Sequence, residues 1–191
     1  MTSWAKWVGA AVLAGVIGLA GCASTPPVPN ELVLKERQGR FAVQSSGPFQ
    51  EPQAVQGGFV WRRLTSGWQL DLNSPLGATL ARLTVSPTGA SLEQPDAPDR
   101  RAASASALLA EVVGAPVPVD ALEDWIDGRI KDDSRVTSLK RDELGRVVSF
   151  AQGVWRVRFA QYGQAGPGRI DINGKQQGQN IKLRLVVDQP V

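Results

Sequence analysis

Apolar and polar residues alternate through most of the chain beyond residue 30, and this period of two constrains the fold more than any other feature. Runs 68–73, 155–160 and 181–185 place an apolar side chain at every second position. Because successive side chains of a β-strand point to opposite faces, each run predicts a strand with one apolar and one polar face. Less regular runs extend the pattern at 40–44, 55–63, 79–85, 136–140, 147–150 and 169–173. Turns rich in Gly, Pro and Ser separate the runs at 65–67, 86–89, 142–145 and 152–153. About ten antiparallel strands in sequence order are therefore predicted, rolled into an open or a closed barrel.

The middle of the chain changes from strand spacing to helical spacing. Apolar residues recur with a helical period within 104–113, and this segment ends at Gly114, which predicts one amphipathic helix. A second helix is predicted to begin at Asp120 as its N-cap, with Glu123 three residues later, and to stop at Gly128. Its apolar stripe consists of Leu122, Trp125 and Ile126. Two short helices inserted into a β meander are expected to cover the concave face of the sheet.

The amino terminus has the pattern of a bacterial lipoprotein signal. Residues 1–21 combine Lys6 with the apolar run 8–20, which is too short and too rich in Gly and Ala for a good membrane span. The run ends in the lipobox sequence Leu19-Ala20-Gly21-Cys22. We therefore predict cleavage before Cys22 and lipidation of its thiol. The alternative is an ordinary signal peptide followed by a chance cysteine.

The residues after the cysteine indicate where the protein goes and where its domain starts. Ala23 takes the place of the aspartate that retains enterobacterial lipoproteins in the inner membrane, so the outer membrane is the expected destination. Residues 22–30 are rich in Ser, Thr and Pro, which is typical of a tether. We predict a signal peptide at 1–21, a lipidated tether at 22–30 and one domain at 31–191, facing the periplasm.

Composition excludes most catalytic chemistry. The chain has no histidine and a single cysteine, so it has no disulfide within the chain, no His-containing metal site and no Ser-His or Cys-His catalytic pair. Nucleotide-binding loops and the nucleophile elbow are also missing. No cofactor, no metal and no catalytic residue is therefore predicted. Without Lys6, 20 basic residues face 18 acidic ones, and this balance argues against binding to nucleic acid.

Adjacent like charges are the remaining polar motifs. We interpret Glu123-Asp124, Asp132-Asp133, Arg62-Arg63 and Arg100-Arg101 as solvated surface, with weak attraction of the arginines to anionic lipid as the alternative. An envelope enzyme working through carboxylates alone, such as Asp124 and Asp127, is a further alternative. Nothing in the sequence places two acids in one apolar pocket.

The apolar residues of the domain are candidates for a lipid-binding cavity. Four tryptophans lie beyond the tether, and each is compatible with an ordinary core position. Together with inward-facing aliphatic and aromatic residues, they are also suited to line a cavity. The cavity hypothesis names Trp61, Trp68, Leu70, Leu83, Trp125, Ile126, Trp155, Phe159 and Leu183. A filled core and an empty one remain alternatives at this point.

One loop has an unusual apolar centre. The segment Asn73-Ser74-Pro75-Leu76-Gly77 lies between two well-patterned strands, and Pro and Gly predict a loop. Leu76 either tucks inward or projects from the domain. An exposed leucine that enters lipid contributes roughly 1.5–3 kcal/mol.

These residues resemble the LolB family of outer-membrane lipoprotein receptors over nearly the whole predicted domain. The matching segments are Gly39-Arg40-Phe41-Ala42-Val43, Gly58-Phe59-Val60-Trp61, Ser74-Pro75-Leu76-Gly77, Pro116-Val117-Pro118, Leu122-x-x-Trp125-Ile126-x-Gly128, Gly153-Val154-Trp155 and Ile181-Lys182-Leu183-x-Leu185. The resemblance implies a mainly β fold with short α-helices. The expected architecture is a single unclosed antiparallel β-barrel of about ten to eleven strands, with helices covering a hydrophobic cavity, as in LolA and LolB proteins.

The resemblance also implies a function. A member of this family accepts lipoproteins from the periplasmic carrier LolA through an apolar cavity that binds acyl chains, and releases them into the outer membrane. The segment Pro75-Leu76-Gly77 matches the family's membrane-insertion loop. Without a nucleotide site, transfer has to run from a weaker holder to a tighter one. The expected partners are LolA, the acyl chains of lipoprotein cargo and outer-membrane lipid, and we expect a monomer. The alternative is a structural envelope lipoprotein with a filled core and no lipid transfer.

Overall fold

The structure is a computed structural model that describes residues 31–48, 50–130 and 135–190. The chain divides into two units at Asn30, and the described residues belong to the second, Glu31–Val191. The predicted signal peptide, Cys22, the tether and the pair Asp132-Asp133 lie outside the described residues. The second unit begins where the sequence pattern places the start of the domain, and its core is built from its own elements.

The described residues of this unit form one antiparallel sheet of eleven strands. Their bounds are β1 Val33–Gly47, β2 Gln50–Leu64, β3 Trp68–Asn73, β4 Thr79–Ser86, β5 Gly89–Gln94, β6 Ala97–Ala102, β7 Val136–Arg141, β8 Val147–Gln152, β9 Trp155–Gly163, β10 Gly166–Gln176 and β11 Gln179–Val187. The spatial order is β6-β5-β4-β3-β2-β1-β11-β10-β9-β8-β7. Because β6 and β7 are the two edges, the sheet is an unclosed barrel, as the family resemblance predicts.

Sequence order holds within each half of the sheet but not across it. Strand β1 lies between β2 and β11, with Phe41 opposite Leu185 in the register. This pairing joins an N-terminal half, β2 to β6, to a C-terminal half, β7 to β11. The simple meander predicted from the spacing is therefore two meanders joined by the first and last strands.

Two strands escaped the sequence pattern, and two others are longer than predicted. Strand β6 is an edge strand whose residues are mostly exposed, so it has no apolar alternation to detect. Strand β5 buries only Ala90 and Leu92 at every second position. Strands β1 and β2 each contain 15 residues, because they continue as a polar hairpin beyond the buried segment.

Two helices are found among the described residues, both between β6 and β7. Helix α1, Ala105–Val113, is capped by Ser104, whose Oγ accepts a hydrogen bond from the amide of Ala107 at 3.3 Å. It ends at Gly114 with a left-handed φ of 69°, as the sequence predicts.

The predicted N-cap of the second helix is wrong. Helix α2, Val119–Trp125, has Pro118 at the N-cap and no side-chain cap. Asp120 lies in the first turn instead, where a negative charge complements the positive end of the helix. Its carboxylate accepts a hydrogen bond from the hydroxyl of Ser106 in α1 at 3.2 Å. Glu123, the other half of the expected capping box, forms an ion pair with Arg63 of β2.

The two faces of the sheet differ in chemistry because of the alternation. Apolar side chains from all parts of the sheet and from both helices form one buried cluster on the inner face. Ile170 and Ile172 of β10, at its centre, have no exposed surface. The opposite, outer face carries the polar and charged side chains. Within the described residues, neither helix has the length and hydropathy needed to cross a bilayer.

Candidate functional site

An apolar cavity of about 40 Å³ lies between the centre of the sheet and the two helices. Strands β1, β2, β3 and β11 contribute Phe41, Val43, Phe59, Trp61, Leu70, Leu72, Leu183 and Leu185, and the helical segment contributes Leu109, Val113, Val117, Leu122 and Ile126. All of these side chains are apolar. A ligand in this space meets no exposed polar atom and no charge, so the site suits a hydrocarbon chain.

The nine residues of the cavity hypothesis all lie in the buried cluster, but they do not all border the cavity. Trp61, Leu70, Ile126 and Leu183 line it. The other five, Trp68, Leu83, Trp125, Trp155 and Phe159, are packed elsewhere in the same core. Trp68 stacks on Trp61 with ring centroids 4.5 Å apart, so it supports one wall from behind.

The aromatic residues of the C-terminal half form a closely packed series. The ring of Trp125 meets Phe150 edge-on at 5.6 Å, and Phe150 meets Phe159 at 5.7 Å. Phe159 in turn contacts Tyr162 at 6.4 Å. Such edge-to-face pairs add about 0.5–1.5 kcal/mol each beyond the area that they bury. This packing explains why Trp125 and Phe159 do not border a void.

Trp155 is fixed by a close approach of the backbone. Gly174 lies opposite Trp155 in the β9–β10 register, and a Cβ atom at position 174 would lie 2.4 Å from Cε3 of the tryptophan ring. Only glycine leaves this space open. Trp155 therefore covers its neighbouring strand and does not face the cavity.

Sequence reasoning missed nine of the thirteen lining residues. Phe41 and Val43 are two positions apart on β1, and Phe59 is two positions before Trp61 on β2. Side chains at this spacing share one face of a strand, so their inward direction could be predicted from the alternation. Leu109 and Val113 share a helical face at a spacing of four. Their place at the void depends on how the helices lie over the sheet, and no local pattern specifies that placement.

Ion pairs also connect the helical segment to the strands. Asp127, just beyond α2, accepts ion pairs from Lys35 at 2.7 Å and Arg37 at 3.3 Å of β1. Arg100 of β6 pairs with Glu111 of α1. Partly exposed ion pairs contribute little stability individually. The lid is therefore attached mainly by its apolar face.

The volume of the cavity limits what it holds in this conformation. A space of 40 Å³ is close to the share of one water molecule in the liquid, about 30 Å³. Pockets for drug-sized ligands measure roughly 300–1,000 Å³. In this conformation the cavity is therefore too small for an acyl chain.

The loop at Leu76 projects from one end of the sheet. Leu76 is 97% exposed, so the inward-tucked alternative is wrong. The loop is held by hydrogen bonds between Ser74 and Ala78, at 2.7 Å between backbone groups and 3.2 Å to the Ser74 hydroxyl. Gly77 has a φ of 88°, which glycine adopts without strain. The result is a short ordered turn with a leucine at its tip.

The charged motifs have structural partners. Asp124 pairs with Arg129 at 3.4 Å, and Asp127 also pairs with Arg129, at 3.0 Å. Each carboxylate is therefore engaged by cations, and the two do not share an apolar pocket. Arg62 pairs with Glu36 at 2.7 Å. The interpretation of the arginine pairs as surface fits Arg62, Arg63 and Arg100, which all bind acids.

An unclosed antiparallel barrel, covered by two helices over an apolar cavity, defines the structural class of this chain. A projecting leucine distinguishes this example. The model of the family described as outer membrane lipoprotein LolB matches residues 36–189. The chain belongs to the LolB family, and it is an outer-membrane lipoprotein.

Individual relatives agree over almost the full length. The outer-membrane lipoprotein LolB of Bordetella petrii is 42% identical over 174 residues, covering 90% of this chain and 87% of the relative. The LolB of Bordetella parapertussis is 37% identical over 189 residues, covering 97% and 94%. That of Ralstonia nicotianae is 31% identical over 209 residues, covering 98% and 99%.

Among solved structures, a LolA superfamily protein from Nitrosomonas europaea is similar with a TM-score of 0.41 and 12% sequence identity. The match covers 81% of this chain and 87% of that protein.

Proposed function

We propose that this outer-membrane lipoprotein receptor binds the acyl chains of its cargo between the two helices and the sheet, at the position of the present cavity. The observation that carries the proposal is the lining of the cavity, which is apolar on every side. A hydrocarbon chain needs no specific polar partner there. Lipoproteins with unrelated polypeptides are therefore equally acceptable as cargo.

Occupation of the site requires an opened lid, and the energy of the cargo is sufficient to keep it open. Separation of the helices exposes Leu109, Val113, Leu122 and Ile126, at a cost of about 1.5–3 kcal/mol for each side chain left in water. An acyl chain covers the same surfaces and contributes about 0.8 kcal/mol per buried methylene group. A chain of roughly fifteen methylenes thus supplies about 12 kcal/mol. Opening and filling are therefore one coupled step without nucleotide.

The partners of the proposed cycle follow from the same site. A periplasmic carrier of the LolA family hands over the acyl chains, and the tighter apolar site takes them. One domain contains the complete cavity, so the monomer is the functional unit. Cys22 carries the lipid anchor, residues 1–21 are removed, residues 22–30 are the tether, and the domain at 31–191 faces the periplasm. Pro75, Leu76 and Gly77 form the loop that enters the outer membrane.

The direct test is transfer without nucleotide. The carrier is loaded with a labelled lipoprotein, the mature receptor is added, and the label on each protein is measured after separation. The expected result is movement of the label onto the receptor. Label that stays on the carrier at all receptor concentrations contradicts the proposal and favours a structural lipoprotein with a filled core.

A second test addresses the loop. Leu76→Glu places a charge where the proposal requires entry into lipid. This variant is expected to accept cargo normally and to insert it into vesicles at less than a tenth of the wild-type rate. Leu144→Glu is the matched control, because Leu144 is also exposed, at 75%, and lies in the β7–β8 turn at the opposite end of the sheet. Equal insertion by the two variants contradicts a membrane role for Leu76.

A further inference from the structure

The outer face of the C-terminal half contains a groove of about 750 Å³, distinct from the apolar cavity. Residues of β1 and of β7 to β11 line it. Small side chains, among them Ala42, Ser149 and Ala151, leave its floor open, and longer side chains stand around them. Six of these are cations: Lys140, Arg156, Arg158, Arg169, Lys182 and Arg184. Among the described lining residues, Asp171 is the one acid.

The single acid neutralises only part of this charge. Asp171 pairs with Arg169 at 2.8 Å and with Arg184 at 2.6 Å. The other four cations, at positions 140, 156, 158 and 182, form no ion pair within the described part of the chain. Their positive charges therefore add up inside a concave surface, where a field is stronger than on a convex one.

In the register of the sheet, Asp171 lies opposite Arg158 and Arg184, whereas two other pairs of cations have a neutral residue between them. Lys182 lies opposite Asn173, which lies opposite Arg156. Arg158 lies opposite Ser149, which lies opposite Lys140. Directly opposed residues are about 4.5–5.5 Å apart, so each pair of cations is separated by roughly 10 Å. At this spacing, several cations of the groove can contact phosphate groups on one surface.

We propose that this outer groove binds the phosphate headgroups of anionic phospholipids in the membrane that carries the protein. Charge complementarity requires an anionic occupant, and the neighbouring turn favours a membrane over an acidic protein. Val154, two residues before Arg156, is 52% exposed in the turn between β8 and β9. By the strand register, this turn lies at the same end of the sheet as the Leu76 loop.

The groove and the two exposed apolar turns together form an arrangement suited to an interface. Apolar tips enter the acyl region while neighbouring cations remain at the level of the phosphates. Binding in the groove makes no use of the apolar cavity. Vesicle binding through the groove is therefore independent of cargo transfer, and it can be measured without cargo.

The test uses the mature chain, residues 22–191, with Cys22→Ser so that no acyl anchor dominates binding. Flotation is measured with vesicles of phosphatidylethanolamine, with and without phosphatidylglycerol. Binding is expected only with the anionic lipid, and it should weaken as salt is raised. Arg158→Gln should weaken it about fivefold, and the triple variant Arg156→Gln, Arg158→Gln, Lys182→Gln about a hundredfold.

Arg101→Gln is the matched control. Arg101 of β6 is exposed and forms no ion pair within the residues that the structure describes, so the variant loses the same charge outside the groove. Its vesicle binding should equal that of the parent, and circular dichroism should show all variants folded. Equal losses for Arg101→Gln and Arg158→Gln overturn the proposal. Loss of carrier binding with intact vesicle binding also overturns it, in favour of an acidic protein partner.

Discussion

The two halves of the sheet share one sequence pattern but differ on both faces. On the inner face, Trp61 and Leu70 of the N-terminal half border the cavity, whereas Phe150 and Phe159 of the C-terminal half belong to a closed aromatic series. On the outer face, the arginines of the N-terminal half surround a buried acid. The C-terminal half instead carries a groove with four cations that form no ion pair among the residues that the structure describes.

The difference is clearest at two aspartates with similar surroundings. Asp71 of β3 binds Arg62 at 2.6 Å and Arg82 at 2.7 Å, and it is 6% exposed. Asp171 of β10 also binds two arginines, but four further cations of the groove form no ion pair within the described residues. The N-terminal half thus combines a doubly paired acid on its outer face with Phe59, Trp61, Leu70 and Leu72 at the cavity. The C-terminal half combines a rigid inner core with a cationic outer face.

The largest expected effect tests the inner faces. Phe159→Ala removes a ring that is 2% exposed and contacts Phe150 and Tyr162. It should lower the free energy of unfolding by about 3–5 kcal/mol, measured by urea denaturation. Phe59→Ala, at a residue that is 3% exposed, should be destabilising by a similar amount.

The two phenylalanine variants should differ in ligand binding. Phe59 lines the cavity and Phe159 does not. Phe59→Ala should therefore enlarge the cavity and bind an apolar fluorescent lipid probe more tightly than the parent does. Phe159→Ala should leave the affinity for the probe unchanged, measured under conditions in which this variant is folded. A gain for both variants would show that ligand space extends into the aromatic series that contains Phe150 and Phe159.

A smaller effect is expected at the two aspartates. Asp71→Asn leaves Arg82 without its charge partner and Arg62 with Glu36 alone, and should cost about 2–3 kcal/mol. Asp171→Asn affects a more exposed ion pair and should cost about 0.2–1 kcal/mol. It should also strengthen binding to anionic vesicles about fivefold, which Asp71→Asn should not do. Equal stability losses would remove the distinction between the outer faces.

The strands, the helices and the inward direction of most core residues could be predicted from the sequence, because alternation and turn chemistry are local. Strand β6 could not, since an exposed edge strand has no apolar period. Helix α2 was predicted to be capped by Asp120, but the proline at 118 starts it earlier. The members of the cavity depend on where the helices meet the sheet. Trp68 and Trp155 are as apolar as Trp61, yet neither lines the cavity. Trp68 stacks on Trp61, and Trp155 packs against Gly174.

The loss of folding stability at low pH should also differ between the two halves. Burial raises the pKa of Asp71, but hydrogen bonds and charge from Arg82 and Arg62 outweigh it and leave the pKa below 3.8. Burial also raises the pKa of Asp171, but hydrogen bonds and charge from Arg184 and Arg169 outweigh this effect and leave the pKa below 3.8. A lowered pKa contributes stability above the unfolded value, which is lost as pH falls through the folded value.

Unfolding measured between neutral pH and the acid range should therefore show a decline that begins near pH 4, around the ordinary carboxyl pKa of 3.8. Asp71→Asn should flatten this decline more than Asp171→Asn does. The flattening cannot exceed the stability that Asp71→Asn removes at neutral pH, because it has the same origin. A steeper acid decline in Asp71→Asn than in the parent would contradict the assignment.

Another small effect is expected at the alkaline end, and it concerns the C-terminal half alone. Tyr162 closes the aromatic series, and its hydroxyl donates a hydrogen bond to the carbonyl of Val147 at 2.6 Å. Burial raises the pKa of this hydroxyl above 10.0, and the nearby charge of Arg146 opposes the increase only in part. A raised pKa contributes stability that is complete below the unfolded value and is lost as pH rises through the folded value. Tyr162→Phe should cost about 0.5–1.5 kcal/mol at neutral pH and flatten the decline above pH 10, measured by urea denaturation. An unchanged alkaline limb in this variant would mean that the series is held by its rings and not by the hydrogen bond to Val147.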